Sequence, residues 1–397
     1  MFRNLFGVNP ERLPRVTVAQ RVIDKIVSNA LIYETETGES LVGFTLENED
    51  RVEPDLIVVE TIAPDESAIR LGAMFEQGDE WQEAIFNWWV DNWRKYVERG
   101  MDAVGKPITP RFSRDIAHLG NWHKHPGTFT IPSDGDLDTA LDDLADPEQG
   151  MPELLVFLAT VWEKLPPMPP PQDMAETEPE EEEDEDKPGA QVSAISRLAN
   201  AVQGLRGRRE PALEEEDDDP GTGAWVVVPI SDQVSVRIDF WYISRRIRRF
   251  VRILPEVVPN ETLPVMPPIG WHLANPERMR AERDGLRREK FPVDFKQYDS
   301  DGVPPMEICG WMWRPPSPYI LFLVTSANYP AVMPKVRITP VSVLKALGED
   351  ENLFARLWEA SSPLPPSGYP EWQWTPERTL VELALSVEAK LIEGKVP

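Results

Sequence analysis

Two histidines one residue apart, His123 and His125, are followed by Pro126-Gly127 and then, past a short polar turn, by Ser133 and Asp136. This run restricts the local fold to a strand that stops, a tight turn and a helix that starts. Side chains at i and i+2 of an extended segment leave the same face, so both imidazoles point one way. Pro126-Gly127 ends the strand, and residues 132–136 read as a turn opening a helix over 137–144, capped by Ser133 or Asp134. The helix start then carries the Asp136 carboxylate back under the rings. Two neutral imidazole nitrogens and a carboxylate oxygen form a ligand set for a divalent ion such as Zn2+, with a fourth position left open. The chain has four histidines. His118 and His272 have no such neighbours and are read as structural or surface residues.

The spacing His-x-His-Pro-x6-Ser-x2-Asp resembles the signature of the JAB/MPN family, the JAMM metalloproteases, and every fixed position is filled. These enzymes are isopeptidases and peptidases that release ubiquitin or ubiquitin-like proteins from conjugates or trim their precursors. The family also carries a glutamate in a segment of the form Glu-x6-Gly on the first core strand, which Glu36 to Gly43 fits. The resemblance implies zinc held by His123, His125 and Asp136. It implies Glu36 as the general base that takes a proton from the attacking water and hands it to the leaving amine. Ser133 would stabilise the oxyanion. Glu34 and Glu39 lie within the same six positions and stay open as alternatives for the base.

Composition sets the wider frame. A chain of 397 residues with 41% hydrophobic content and 14 tryptophans is long enough for two cores, and a single cysteine excludes an intramolecular disulfide. A net charge of -27 argues against a nucleic-acid partner. No apolar run resembles a signal peptide or a membrane span, so a cytoplasmic protein is expected. Much of the charge lies in two acidic runs, 176–186 and 214–219, the first preceded by the proline-rich 166–171. Such segments cannot offset the entropy of ordering, so residues 165–222 are expected to be a disordered insertion in the first domain. Val192, Ile195, Leu198, Val202 and Leu205 recur at helical spacing within it, as a transient turn or a short docking helix.

Along the first half the pattern predicts strands at 16–18, 40–46, 56–62, 116–123, 154–161, 224–229 and 234–243, with helices at 19–30 and 80–98. The stripe Trp81, Ile85, Trp88, Trp89 and Trp93 on the second helix is read as core. This order suits an α+β fold, the mixed sheet flanked by helices that the JAB/MPN resemblance implies, over residues 12–255. The basic cluster 245–249 is read as a solvated strand edge, or as a dock for an acidic partner or the acidic insertion.

After a connection at 256–269, a helix is predicted at 276–290, strands at 307–313, 319–325 and 336–339, and a helix at 380–391. Tyr329-Pro330, with Pro334-Lys335-Val336 and Thr339, resembles the Tyr-Pro-x3-Pro-Lys-Val-x-Phe-Thr segment of ubiquitin-conjugating enzymes, and Trp374-Thr375-Pro376 resembles the segment after their active site. The thioester-forming cysteine is absent, since residues 340–373 contain none, and Cys309 on a predicted buried strand reads as an apolar filler. Residues 270–397 thus resemble an inactive α+β relative of those enzymes, able to bind a ubiquitin-like protein or an activating or conjugating enzyme.

The combined expectation is a zinc-dependent isopeptidase or peptidase cutting after the C-terminal tail of a ubiquitin-like protein. Two alternatives share the same residues. One is another zinc amidohydrolase or a RadC-like activity, and the other is a non-enzymatic adaptor of a ubiquitin-like pathway, against which the complete ligand set counts.

Overall fold

The computed structural model describes residues 13–47, 52–71, 74–76, 79–147, 150–163, 225–299, 304–347 and 352–394. The acidic insertion and its helix-spaced segment at 192–205 lie outside the described residues. The fold is α+β, with a large mixed sheet and a separate antiparallel sheet.

Nine strands form the first sheet: β1 (Val16–Ala19), β2 (Gly38–Leu46), β3 (Asp55–Ile62), β6 (Ala117–Lys124), β7 (Glu153–Glu163), β8 (Trp225–Pro229), β9 (Val234–Ser244), β10 (Val251–Arg252) and β11 (Pro255–Val258). The short hairpin of β4 (Ile69–Leu71) and β5 (Met74–Glu76) stands apart from it. The order across the sheet is β10-β9-β7-β6-β2-β3-β1-β11, with β8 also on β9. The pairs β6–β7, β1–β3 and β1–β11 are parallel and the rest antiparallel. β11 falls in the stretch expected as a connection, where its parallel pairing with β1 adds an edge strand to the first sheet.

Helix α1 (Gln20–Ile32) buries Val22, Ile23, Ile26, Val27 and Ala30, a stripe with helical period. α1 and α3 (Asp134–Ala145) both pack on β7, whose first eight residues are buried. Cover from the two helices accounts for an almost unbroken apolar run in that strand. Helix α2 (Asp79–Arg99) buries Ile85, Trp88, Trp89 and Trp93, and Trp93 meets Phe44 of β2 at 5.4 Å between ring centroids.

The second sheet is a meander, β12 (Asp294–Asp299), β13 (Met306–Met312), β14 (Tyr319–Thr325), β15 (Lys335–Pro340) and β16 (Ser362–Pro363). Helices Pro276–Arg288 and Leu380–Ile392 cover one face through Leu286, Leu321, Leu323, Leu383 and Val387. Cys309, Ile320, Phe322 and Val324 fill the other face with Leu357. Cys309 is fully buried, and burial drives its thiol far above the ordinary range. α2 joins the two sheets. Trp88 Nε1 donates to the Pro268 carbonyl at 2.9 Å, Met306 N donates to Asn92 Oδ1 at 2.8 Å, and Lys95 pairs with Asp299 at 3.1 Å. Among the described residues, no helix is long and apolar enough to cross a membrane.

Candidate metal centre

The ladder beside β6 decides where its histidines go. His123 registers with Gly38 of β2 on one side and Leu158 of β7 on the other. Past the end of the strand, Lys124 N donates to the Thr37 carbonyl at 2.7 Å and His125 N to the Ala159 carbonyl at 3.0 Å, so His125 stays on the sheet plane. Gly38 permits the close approach here: a Cβ would stand 2.2 Å from the Trp122 carbonyl and 3.0 Å from the His123 Cβ. Gly43, seven residues after Glu36, sits at a register shift where a Cβ would meet the Ile57 carbonyl at 1.8 Å.

The third side chain comes from the first turn of α3. Ser133 is the N-cap of a reciprocal box in which Asp136 takes the place usually held by Glu. Asp136 N donates to Ser133 Oγ at 3.1 Å, while Ser133 N and Oγ donate to Asp136 Oδ2 at 2.6 and 2.7 Å. At the other end of the helix the Leu144 carbonyl accepts from Arg245 Nε at 2.6 Å, a cation where the helix dipole favours one. Held at both ends, α3 sets Asp136 Oδ1 3.2 Å from His123 Nε2 and Oδ2 3.4 Å from His125 Nε2. The two Nε2 atoms lie 3.0 Å apart. All three ligand atoms fall within 4.8 Å of one another.

Each ring is oriented through its other nitrogen. His123 Nδ1 lies 3.4 Å from Asn121 Oδ1, two residues back on the same strand face, and His125 Nδ1 lies 3.2 Å from the Phe129 carbonyl. The Phe129 carbonyl only accepts and Asn121 presents Oδ1, so a proton on each Nδ1 would satisfy both and leave the Nε2 atoms available as ligands, whereas a proton on either Nε2 is donated to Asp136. Lone pairs 3.0 Å apart repel unless a proton or a cation lies between them. Tetrahedral ligation at about 2.0–2.2 Å spaces ligand atoms about 3.3–3.6 Å apart, against 3.0, 3.2 and 3.4 Å here, so a small spreading of the rings would admit an ion. The donor set therefore fits a divalent ion.

Burial and strand face separate the three upstream glutamates. Glu36, half-buried just before β2, feels His123, His125 and Asp136; burial raises its carboxyl above the ordinary range, the two rings lower it and Asp136 raises it. Glu39 is buried and accepts from Asn29 Nδ2 of α1 at 2.5 Å, on the opposite face from Gly38 and the histidines. Glu34 is exposed. For Asp136 burial pulls upward, but the hydrogen bonds and charge of both rings and the Ser133 hydroxyl hold its carboxyl well below the usual range. The single Ser133 hydroxyl proton points at Asp136 Oδ2. His118 faces Met151 Sδ at 3.2 Å and His272 the edge of Trp88, and burial lowers both to about 4.

Asn121 and the Phe129 carbonyl were not among the residues singled out from sequence. An asparagine at i−2 of a strand histidine shares its face, and that alternation was the available signal. The Phe129 contact involves backbone and left none.

No family model and no curated protein matches the chain. Among solved structures it is similar to the solution structure of protein DSY2949 from Desulfitobacterium hafniense, at 17% identity and a TM-score of 0.21, over 36% of this chain and 74% of that one.

Proposed function

We propose that the chain is a zinc-dependent isopeptidase or peptidase of the JAB/MPN kind, cutting after the C-terminal tail of a ubiquitin-like protein. One observation carries this reading: His123, His125 and Asp136, set out in the JAMM spacing, converge on one point, with the Glu36 carboxyl inside their field. Zinc held by these three residues supplies Lewis acidity at the scissile carbonyl. Glu36 takes the proton of the attacking water on a carboxylate oxygen and returns it to the leaving nitrogen; the raised pKa suits both transfers. Ser133 orients Asp136 in the present arrangement. Rotation about its Cβ–Oγ bond frees the hydroxyl proton for a developing oxyanion, while Oγ still accepts from Asp136 N.

The second half supports the reading from the other side. Its motifs resemble a ubiquitin-conjugating enzyme, and its one cysteine is sealed in a core, which suits a binding role toward a ubiquitin-like protein or a partner enzyme. Tethering such a domain to the metal centre raises the effective concentration of substrate there. The test is zinc per chain by elemental analysis, together with cleavage of ubiquitin-like fusions. Wild type should hold one zinc and cut the fusion. Glu36→Gln should keep the zinc and lose about 10²–10⁴ in rate. Full cleavage by Glu36→Gln would move the base elsewhere, and a zinc-free, inactive wild type would end the proposal.

A further inference from the structure

Four of the five residues 245–249 are arginines, in a chain of net charge -27, and all four are exposed. They lie on the turn that follows β9, whose backbone is braced: Arg245 N donates to the Pro152 carbonyl at 3.0 Å and Arg248 N to the Ser244 carbonyl at 2.8 Å. Arg245 Nε reaches the Leu144 carbonyl at 2.6 Å, and Arg246 pairs with Glu53 at 3.3 Å. Arg248 holds a left-handed backbone, with φ 51°, and its guanidinium has no hydrogen bond or ion pair among the described residues. Arg245 and Arg248 wall one side of a hollow of about 310 Å³, and Leu141, Leu144, Ala145 and Pro147 complete it. Guanidiniums gathered in this way repel one another until an anion lies among them.

Strand polarity indicates which anion reaches the turn. β8 runs antiparallel to β9, with Trp225 opposite Asp239 and Pro229 opposite Ser235. Extended backward from Trp225, β8 therefore points along β9 toward Ser244 and the arginines. Arg252 stands on that path, 6.0 Å from the Trp225 ring and 5.0 Å from the Trp241 ring. Ser244 lies five positions past Asp239, about 17 Å along the strand. The six acids 214–219 end six residues before Trp225, and six extended residues reach about 20 Å. The other acidic run, 176–186, follows β7, which ends at Glu163 opposite Val234, at the far end of β9. We infer that the turn 245–249 is the docking surface for the chain's own acidic run 214–219. Charges of opposite sign meet there, and the tether sets an effective concentration of about a millimolar, so that individually weak exposed pairs add up. Docked, the run sits at the end of the sheet opposite to the one where His125 leaves β6.

A peptide added in trans reports whether the surface is taken. A fluorescein-labelled peptide of residues 211–222 is titrated at low salt against three full-length chains: wild type, a chain with the acids of 214–219 changed to their amides, and a chain with the acids of 176–186 changed likewise. The last change removes nine charges against six, so it controls for general repulsion of an acidic peptide. Only the 214–219 replacement should open the turn, and that chain should bind the peptide at least about tenfold more tightly than the other two. Adding Arg248→Asp to it should weaken the peptide about fivefold or more, as should salt at about 0.5 M. Arg248 is exposed and aspartate tolerates its left-handed backbone, so the turn survives that change. Equal binding to all three chains, binding to none, or opening by the 176–186 replacement overturns the inference. Binding that Arg248→Asp leaves unchanged overturns it too, because the peptide then sits elsewhere.

Discussion

At the end of β6 the Asp136 carboxyl faces two imidazoles; in the second half Glu282 and Glu388 face guanidiniums. Arg278 Nε lies 2.7 Å from Glu282 Oε1, Tyr329 donates to the same oxygen, and Leu380 N donates to Oε2 at 2.8 Å. Arg314 forks onto Glu388, with Nη2 at 2.5 Å and Nε at 2.9 Å. Arginine keeps its proton in a protein, so each of these pairs is complete as it stands. A neutral imidazole offers a lone pair instead, so the β6 cluster could hold a cation from outside. Similar residue types thus make a scaffold in one half and a cluster able to hold a metal ion in the other.

The sharpest break in this comparison comes from Asp136→Asn, which removes a charged ligand while leaving a cap for α3. Zinc content and cleavage should both fall to background while the fold, read by circular dichroism, persists. Glu282→Ala should do the reverse. It strands a guanidinium and a tyrosine hydroxyl, costs about 3–5 kcal/mol of stability in denaturant titration, and leaves zinc per folded chain unchanged. Asn121→Ala should be milder, weakening zinc about 10–100-fold in a chelator competition because the His123 ring loses its orienting acceptor.

The smallest effect concerns Glu153, at the start of β7. Burial first, then the Glu53 charge, raises its carboxyl to about 7. The folded chain keeps that proton over a range in which the unfolded chain, near the ordinary 4.5, has lost it. Its contribution is therefore present below about pH 4.5 and is lost as pH rises through about 7. Glu153→Gln should be more stable than wild type by about 1–3 kcal/mol at pH 8, with the gap closing toward pH 5.

Much of the fold was legible where apolar period and punctuation agree. The strand Tyr319–Thr325 has the predicted limits, and the observed helix Leu380–Ile392 exceeds its prediction by one residue. β12 was missed because Asp-Phe-Lys-Gln-Tyr-Asp buries only Tyr298; its strand character comes from pairing with β13. The helices Val341–Leu347 and Leu353–Glu359 are too short to show a period and owe their place to packing on that sheet. β11 looked like a proline-rich connection because an edge strand tolerates proline at its first residue. At the site, spacing pointed to His123, His125 and Asp136 because strand and helix periods alone aim those side chains. Which upstream glutamate lies in their field depends on burial and strand face, which three acids in six positions could not reveal.

Anomalous diffraction at the zinc edge, from crystals grown with zinc, tests the central claim most directly. The account predicts one strong peak about 2.0–2.2 Å from His123 Nε2, His125 Nε2 and an Asp136 carboxylate oxygen. A zinc-saturated crystal with no peak among these three atoms would contradict it.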